Sequence, residues 1–196
     1  CAIFLLHLRS SLVSIFVIAV CGLTYELIVG TLSSYLFGNS VAHFSITIGL
    51  FLSAMGLGSF VSRWITRSVL GWFILLEIAI GLVGGCSALL LYAVFATSDY
   101  YHMVMVSLIL LVGAFIGMEI PLLTRLCGDR ESLKDTLANV LAFDYLGALL
   151  ASLLFPLVLL PKLGLLKTSF ATGLLNMAVV ALNLWIFRQR LVRWRQ

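Results

Sequence analysis

Apolar residues in this chain fall into six successive runs, at about 11–36, 41–65, 70–96, 102–126, 137–160 and 164–187. At 1.5 Å per helical residue, each is long enough to cross the ~30 Å hydrocarbon core of a bilayer. Of the 196 residues 62% are hydrophobic and 10% charged. A water-soluble domain keeps roughly a quarter of its residues charged, so a soluble globular fold is excluded. The expected fold class is all-α: a polytopic membrane helix bundle of about six transmembrane helices, forming a single domain over 1–196. The first run is too long for the core of a cleaved signal peptide and has no small-residue cleavage site.

Turn and break chemistry separates the runs. Gly38-Asn39 forms a turn, Arg67-Ser68 ends the second run, and Thr97-Ser98-Asp99 is expected to cap the fourth. Gly128-Asp129-Arg130-Glu131 is the one strongly polar loop, and Pro161-Lys162-Leu163-Gly164 divides the last two helices. In an alternating six-span arrangement Arg9, Arg63, Arg67, Arg125, Arg130, Lys134, Arg188, Arg190, Arg193 and Arg195 share one side, and only Lys162 and Lys167 lie on the other. That excess marks the first side as cytoplasmic, with both termini there. The net charge of +4 therefore requires no nucleic acid. The tail from Arg188 to Arg195, with Trp194, reads as a topological anchor able to meet anionic lipid.

Small residues recur four apart at Gly49/Ser53, Ala54/Gly58, Gly81/Gly85, Gly113/Gly117 and Gly147/Ala151. Such spacing lets helices approach closely inside a bundle, or in a homodimer. Cys1, Cys21, Cys86 and Cys127 show no CxxC spacing and read as free thiols. The chain opens on Cys rather than Met, which reads as a trimmed chain more readily than as a lipid-modified terminus. His43 and His102 begin spans and read as interfacial anchors. There is no HExxH, nucleophile elbow or Walker loop, so neither a catalytic motif, a metal site nor a cofactor is expected in these residues.

Of eight acidic residues, Asp99, Asp129, Glu131 and Asp135 fall in loops, while Glu26, Glu77, Glu119 and Asp144 lie inside apolar runs. A carboxylate at such a place costs a few kcal/mol, so it must face the bundle interior, find a partner or hold a proton. Helical rise puts Glu77, Glu119 and Asp144 roughly 10 Å below the cytoplasmic end and Glu26 near the midplane. These four, with Tyr25 and Tyr145, are the candidate substrate-binding residues: an acidic cavity open to the cytosol and attractive to cations. The competing reading pairs the acids with Arg63, Arg125, Tyr25, Tyr145 or Asn139 to fix helix register. Pro121, two residues after Glu119, is expected to kink the fourth span; Pro156 and Pro161 mark the outer end of the fifth.

The run Leu141-Ala142-Phe143-Asp144-Tyr145-Leu146-Gly147-Ala148-Leu149, with Phe155-Pro156-Leu157 and Leu159-Leu160-Pro161-Lys162-Leu163-Gly164, resembles a specific family. It is similar to the membrane domain of bacterial membrane-bound spermidine-synthase-like proteins, in which a transporter-like region is fused to an aminopropyltransferase. Gly22-Leu23-Thr24-Tyr25-Glu26-Leu27, Gly56-Leu57-Gly58-Ser59, Leu76-Glu77 and Gly117-Met118-Glu119-Ile120-Pro121-Leu122-Leu123 follow in the family's order, so the resemblance covers about 20–187. It implies a location in the bacterial inner membrane and a cytosolic Rossmann-like domain as the partner of the bundle. That domain would transfer an aminopropyl group from decarboxylated S-adenosylmethionine to putrescine. No Gly-rich aminopropyltransferase motif occurs in these 196 residues, so no catalytic residue is carried over. The family's usual seventh span or longer linker is also unmatched. Three roles stay open: an anchor presenting an acidic cavity to cationic amines, a major-facilitator-like half-transporter that dimerises to carry a cationic or proton-coupled substrate, and a purely structural anchor.

Overall fold

A computed structural model describes residues 2–38, 40–97, 100–127 and 133–193, with side chains over 13–38, 41–97, 100–126 and 134–185. Asn39, Ser98, Asp99, the 128–132 loop, Cys1 and the 194–196 tail lie outside the described residues, as do the side chains of Arg9, Cys127, Arg188, Arg190 and Arg193. The chain is all-α: α1 (Ala2–Phe37), α2 (Ser40–Val61), α3 (Val69–Thr97), α4 (Tyr101–Cys127), α5 (Leu133–Leu154) and α6 (Leu160–Arg193). A 3-10 turn (Ser62–Trp64) follows α2, and a π-helical turn (Phe155–Leu159) joins α5 to α6.

Among the described residues five helical lengths are long and apolar enough to cross a membrane: Val13–Phe37, Val41–Trp64, Val69–Thr97, Tyr101–Leu126 and Lys134–Trp185. The sequence divides the last of these at Pro161–Gly164. Helical geometry in fact continues on both sides and is interrupted only at Gly164, with φ 72° and ψ 175°, a region essentially reserved for glycine. Pro156 lacks an N–H and sits at the start of the π-turn, where the wider turn absorbs the missing hydrogen bond. Thr168 Oγ1 donates back to the Leu159 carbonyl at 3.3 Å, so the chain is folded tightly about this point.

Core composition shows the direction of each helix. One cluster joins Ile15 and Ile18 of α1, Phe73 and Ile74 of α3, Leu123 of α4, Val140 of α5, and Val179 and Val180 of α6. Another holds Leu32, Leu91, Tyr101 and Met105 from the far ends of α1, α3 and α4. Phe155 packs with Ile28 and Ala88, also away from the first cluster. The chain therefore runs back and forth, and α5 and α6 are antiparallel. Arg63, Arg67, Arg125 and Lys134 belong to the segments at the end where α1 starts and α6 finishes; Lys162 and Lys167 belong to the opposite end.

Unlike a soluble bundle, this one is apolar on its surface as well as in its core, and several polar side chains turn inward. Ser14, Thr24, Ser33, Thr47, Ser87, Thr168, Ser169, Asn176 and Asn183 are buried, whereas Leu52, Leu57, Leu82, Leu149, Leu157, Leu174 and Trp185 are exposed. The inward polar groups bind across helices. Ser14 donates to Asn183 (3.0 Å), and Ser169 Oγ reaches the carbonyls of Gly84 (2.9 Å) and Gly85 (2.8 Å). Where hydrocarbon surrounds the bundle, such contacts and close backbone packing supply the cohesion.

Most of the small-residue pairs are packing surfaces. A Cβ on Gly58 would collide with the Ala114 carbonyl, one on Gly117 with Met55, and one on Gly173 would come within 2.8 Å of the Gly81 carbonyl and 2.9 Å of Gly85 Cα. These fix α2 on α4 and α3 on α6. Gly49 has nothing within 4 Å, so the Gly49/Ser53 pair lies on an open face of α2. Gly38 has φ 73° and donates from its N–H to Ser34 (3.0 Å), ending α1 as the turn chemistry anticipates. Of the expected cap of α4, Thr97 bonds back through its hydroxyl to Ala93 (2.8 Å) within α3, and Ser98 and Asp99 lie outside the described residues.

Candidate functional site

On α1, Ile15, Ile18, Ala19, Gly22, Leu23 and Glu26 recur at three- and four-residue intervals and line a single cavity of about 180 Å³. α2 adds Phe51, Leu52 and Met55, α4 adds Ile116, Glu119, Ile120 and Leu123, and α5 adds Asp144, Tyr145 and Ala148. α1 and α4 back the cavity. α2 packs chiefly on α4 and α5 chiefly on α1, and the two flank the opening without packing together. The cavity extends from the end that holds Ile15 and Leu123 toward Glu26. Its volume is far above the ~10–15 Å³ that admits one water.

Three of the four candidate acids thus converge from three helices on one space. Glu26 and Glu119 are buried and Asp144 is half-buried. Glu77, on α3, does not line the cavity but lies behind Glu119: the two carboxyl groups are within hydrogen-bonding reach of each other, and Asp144 interacts electrostatically with Glu119. Neither Glu77 carboxyl oxygen, nor Glu119 Oε1, receives a hydrogen bond from the described residues.

The partners expected for the acids are otherwise engaged. Arg125 donates to the carbonyls of Ser62 (3.0 Å) and Ile65 (2.9 Å) at the end of α2. Helix C-termini draw such cations, and this position puts its charge on backbone, not carboxylate. Arg63 is exposed and lies over the Phe60 ring, 3.7 Å from its centroid, with Trp64 at 4.8 Å. Asn139 is exposed. Tyr145 lines the cavity mouth yet is 68% exposed.

Tyr25 is buried and lies away from the acid cavity, beside a separate void of about 10 Å³ lined also by Ser87, Gly84, Phe51 and Val29. Its hydroxyl has no hydrogen-bond partner among the described residues. The void is just large enough for one water. His43 and His102 stack around Phe37, at centroid distances of 5.2 and 4.5 Å, with Tyr101 at 5.0 Å. Among the described residues no cluster of His, Cys, Asp and Glu could hold a metal ion, and Cys21 and Cys86 are free.

Sequence reasoning missed Asn176, whose amide donates to the Glu77 backbone carbonyl (2.8 Å), tying α6 to α3 at the level of the acids. A lone Asn within an apolar run is the same signal that singled out the acids. The apolar cavity wall at Met55 and Ile116 carries no signal of its own.

Fold and site together define a class: a helix bundle with an apolar exterior, an acid-lined internal space and, among the described residues, five helices fit to cross a bilayer. The chain is 49% identical over 181 residues to polyamine aminopropyltransferase 2 of Ralstonia nicotianae. It is 42% identical over 178 residues to the polyamine aminopropyltransferase of Leptospira interrogans and 34% over 187 residues to that of Mycobacterium tuberculosis. Each alignment takes in 91% of this chain but only 36% of the relative; the chain spans about a third of the length of the curated relatives it matches. No protein-family model matches the chain, and no solved structure matches it.

Proposed function

We propose that residues 13–185 form a six-crossing membrane domain of a polyamine aminopropyltransferase-like protein, and that the acid-lined cavity binds a cationic amine at the face where a soluble catalytic domain attaches. The observation that carries this reading is the convergence of Glu26, Glu119 and Asp144 on one cavity of about 180 Å³. A linear diamine pairs ammonium ends with a methylene body. Carboxyl groups set in an otherwise apolar wall of Ile18, Met55, Ile116 and Ala148 match that pattern, and a low dielectric strengthens the attraction. The reversal between Val140 and Val179 supports six crossings over five. The lysine and arginine distribution favours cytoplasmic termini in a bacterial inner membrane, which a reporter joined to the C-terminus would test.

The deciding experiment is putrescine and spermidine binding to the purified chain in lipid nanodiscs. Binding weakened at least about tenfold by Glu119→Gln and by Asp144→Asn, equivalent to ~1.4 kcal/mol or more each, is expected. Affinity unchanged in both variants overturns the cavity assignment.

A second reading, a half-transporter that pairs with another copy, draws on the sideways opening between α2 and α5 and on the open Gly49/Ser53 face of α2. Uptake of labelled amine into proteoliposomes supports it; a monomeric particle without flux removes it.

A further inference from the structure

Glu119 is only 2% exposed yet lines the cavity, while Glu77 behind it is 1% exposed and does not. Their carboxyl groups are neighbours, and three of the four oxygens receive no hydrogen bond from the described residues. Among the described residues, the groups around the pair supply no positive charge. From α1, Cys21 and Tyr25 interact with both acids, and Glu26 shares the cavity. α5 brings Asp144, α6 brings Asn176, whose amide donates to the Glu77 backbone carbonyl and also lies beside the Glu77 carboxyl group, and α2 brings Phe51, Leu52 and Met55 to the cavity.

Two adjacent desolvated carboxylates without a counter-charge repel one another strongly. One proton held between them removes the repulsion. A cation seated beside Glu119 does so equally well, so proton and cation compete for the same negative charge.

We propose that Glu77 and Glu119 form a proton-exchange pair: one proton bridges them while the cavity is empty, and an ammonium group entering beside Glu119 displaces it to water. Charge balances in this step. A carboxyl–carboxylate pair of charge −1 becomes two carboxylates of charge −2 facing the arriving +1, and one proton leaves. Glu77, shielded from the cavity, adds negative charge without occupying space the ligand needs. The exchange rests on the amine reading of the cavity and adds a coupling that simple capture lacks.

Putrescine titrated calorimetrically into the chain in nanodiscs, near neutral pH and in buffers of different ionisation enthalpy, tests it. The expected result is about one proton released per putrescine bound, with affinity rising with pH by up to about tenfold per pH unit. In Glu77→Gln the side-chain amide donates to Glu119 in place of the proton, so the number of protons released per putrescine bound falls toward zero. Wild-type binding without proton release and with pH-independent affinity overturns the exchange and leaves the amine cavity standing. No putrescine binding at any pH overturns both. Should Glu77→Gln fail to fold, the wild-type release and pH slope decide alone.

Discussion

Arg125 Nη1 bridges the carbonyl oxygens of Ser62 and Ile65, at 3.0 and 2.9 Å, so the last turn of α4 closes the end of α2. The guanidinium satisfies backbone groups that the 3-10 turn leaves open, and it stays outside the acid cavity. Arg125→Ala is expected to cost about 1 kcal/mol, seen as a lowered thermal midpoint in detergent, with amine affinity unaltered. A variant of wild-type stability with lost amine affinity would place Arg125 at the acids instead.

Gly173 and Gly49 make opposite predictions for one kind of change. Gly173→Val drives a side chain against Gly81 and Gly85 backbone, within 3 Å of where its Cβ must sit. It is expected to separate α3 from α6 and prevent recovery of folded protein. Gly49→Ala meets nothing within 4 Å and removes a flexible residue from a helix, a gain of about 0.5–1 kcal/mol. Equal behaviour of the two in a size-exclusion and thermal-melt comparison would contradict the α3–α6 contact.

Gly164 adopts φ 72° and ψ 175° with no neighbouring atom in the way of a Cβ. The cost of Gly164→Ala is therefore conformational and not steric, on the order of 1–3 kcal/mol. Unfolding in a denaturant series measures it. A neutral result means that the reversal between α5 and α6 is made elsewhere.

Ser169 sends its one hydroxyl proton toward two carbonyls of α3, those of Gly84 and Gly85. Ser169→Ala is expected to cost about 0.6 kcal/mol, the usual worth of an interhelical hydrogen bond in a membrane bundle. Ser53→Ala, whose hydroxyl bonds only to Gly49 of its own helix (2.7 Å), serves as the near-neutral control.

The all-α class and the long apolar helices were legible because apolar length acts locally, and glycine chemistry marked the interruption at Gly164. The burial of Glu26, Glu77 and Glu119 and the half-burial of Asp144 were legible one at a time, since a carboxylate in an apolar run must turn inward. Their partners were not. Pairing Arg125 with an acid was reasonable from depth alone, but helix rotation about its axis decides whether a side chain at that level meets a carboxylate or a helix end. Tyr25 illustrates the same limit: one position from Glu26, it is rotated about 100° around α1 and borders a different void. Glu77 and Glu119 meet because α3 and α4 pack together, which no spacing within either helix encodes. The exposed rim at Tyr145 likewise depends on α2 and α5 standing apart.

That separation leaves the pocket with three protein walls. In a bilayer the fourth is made of acyl chains, so tail length and saturation become determinants of how dry and how wide the space around Asp144 is. Under the proposed amine reading, affinity measured in a micelle would describe the detergent as much as the protein, and lipid composition would tune the site without altering a residue.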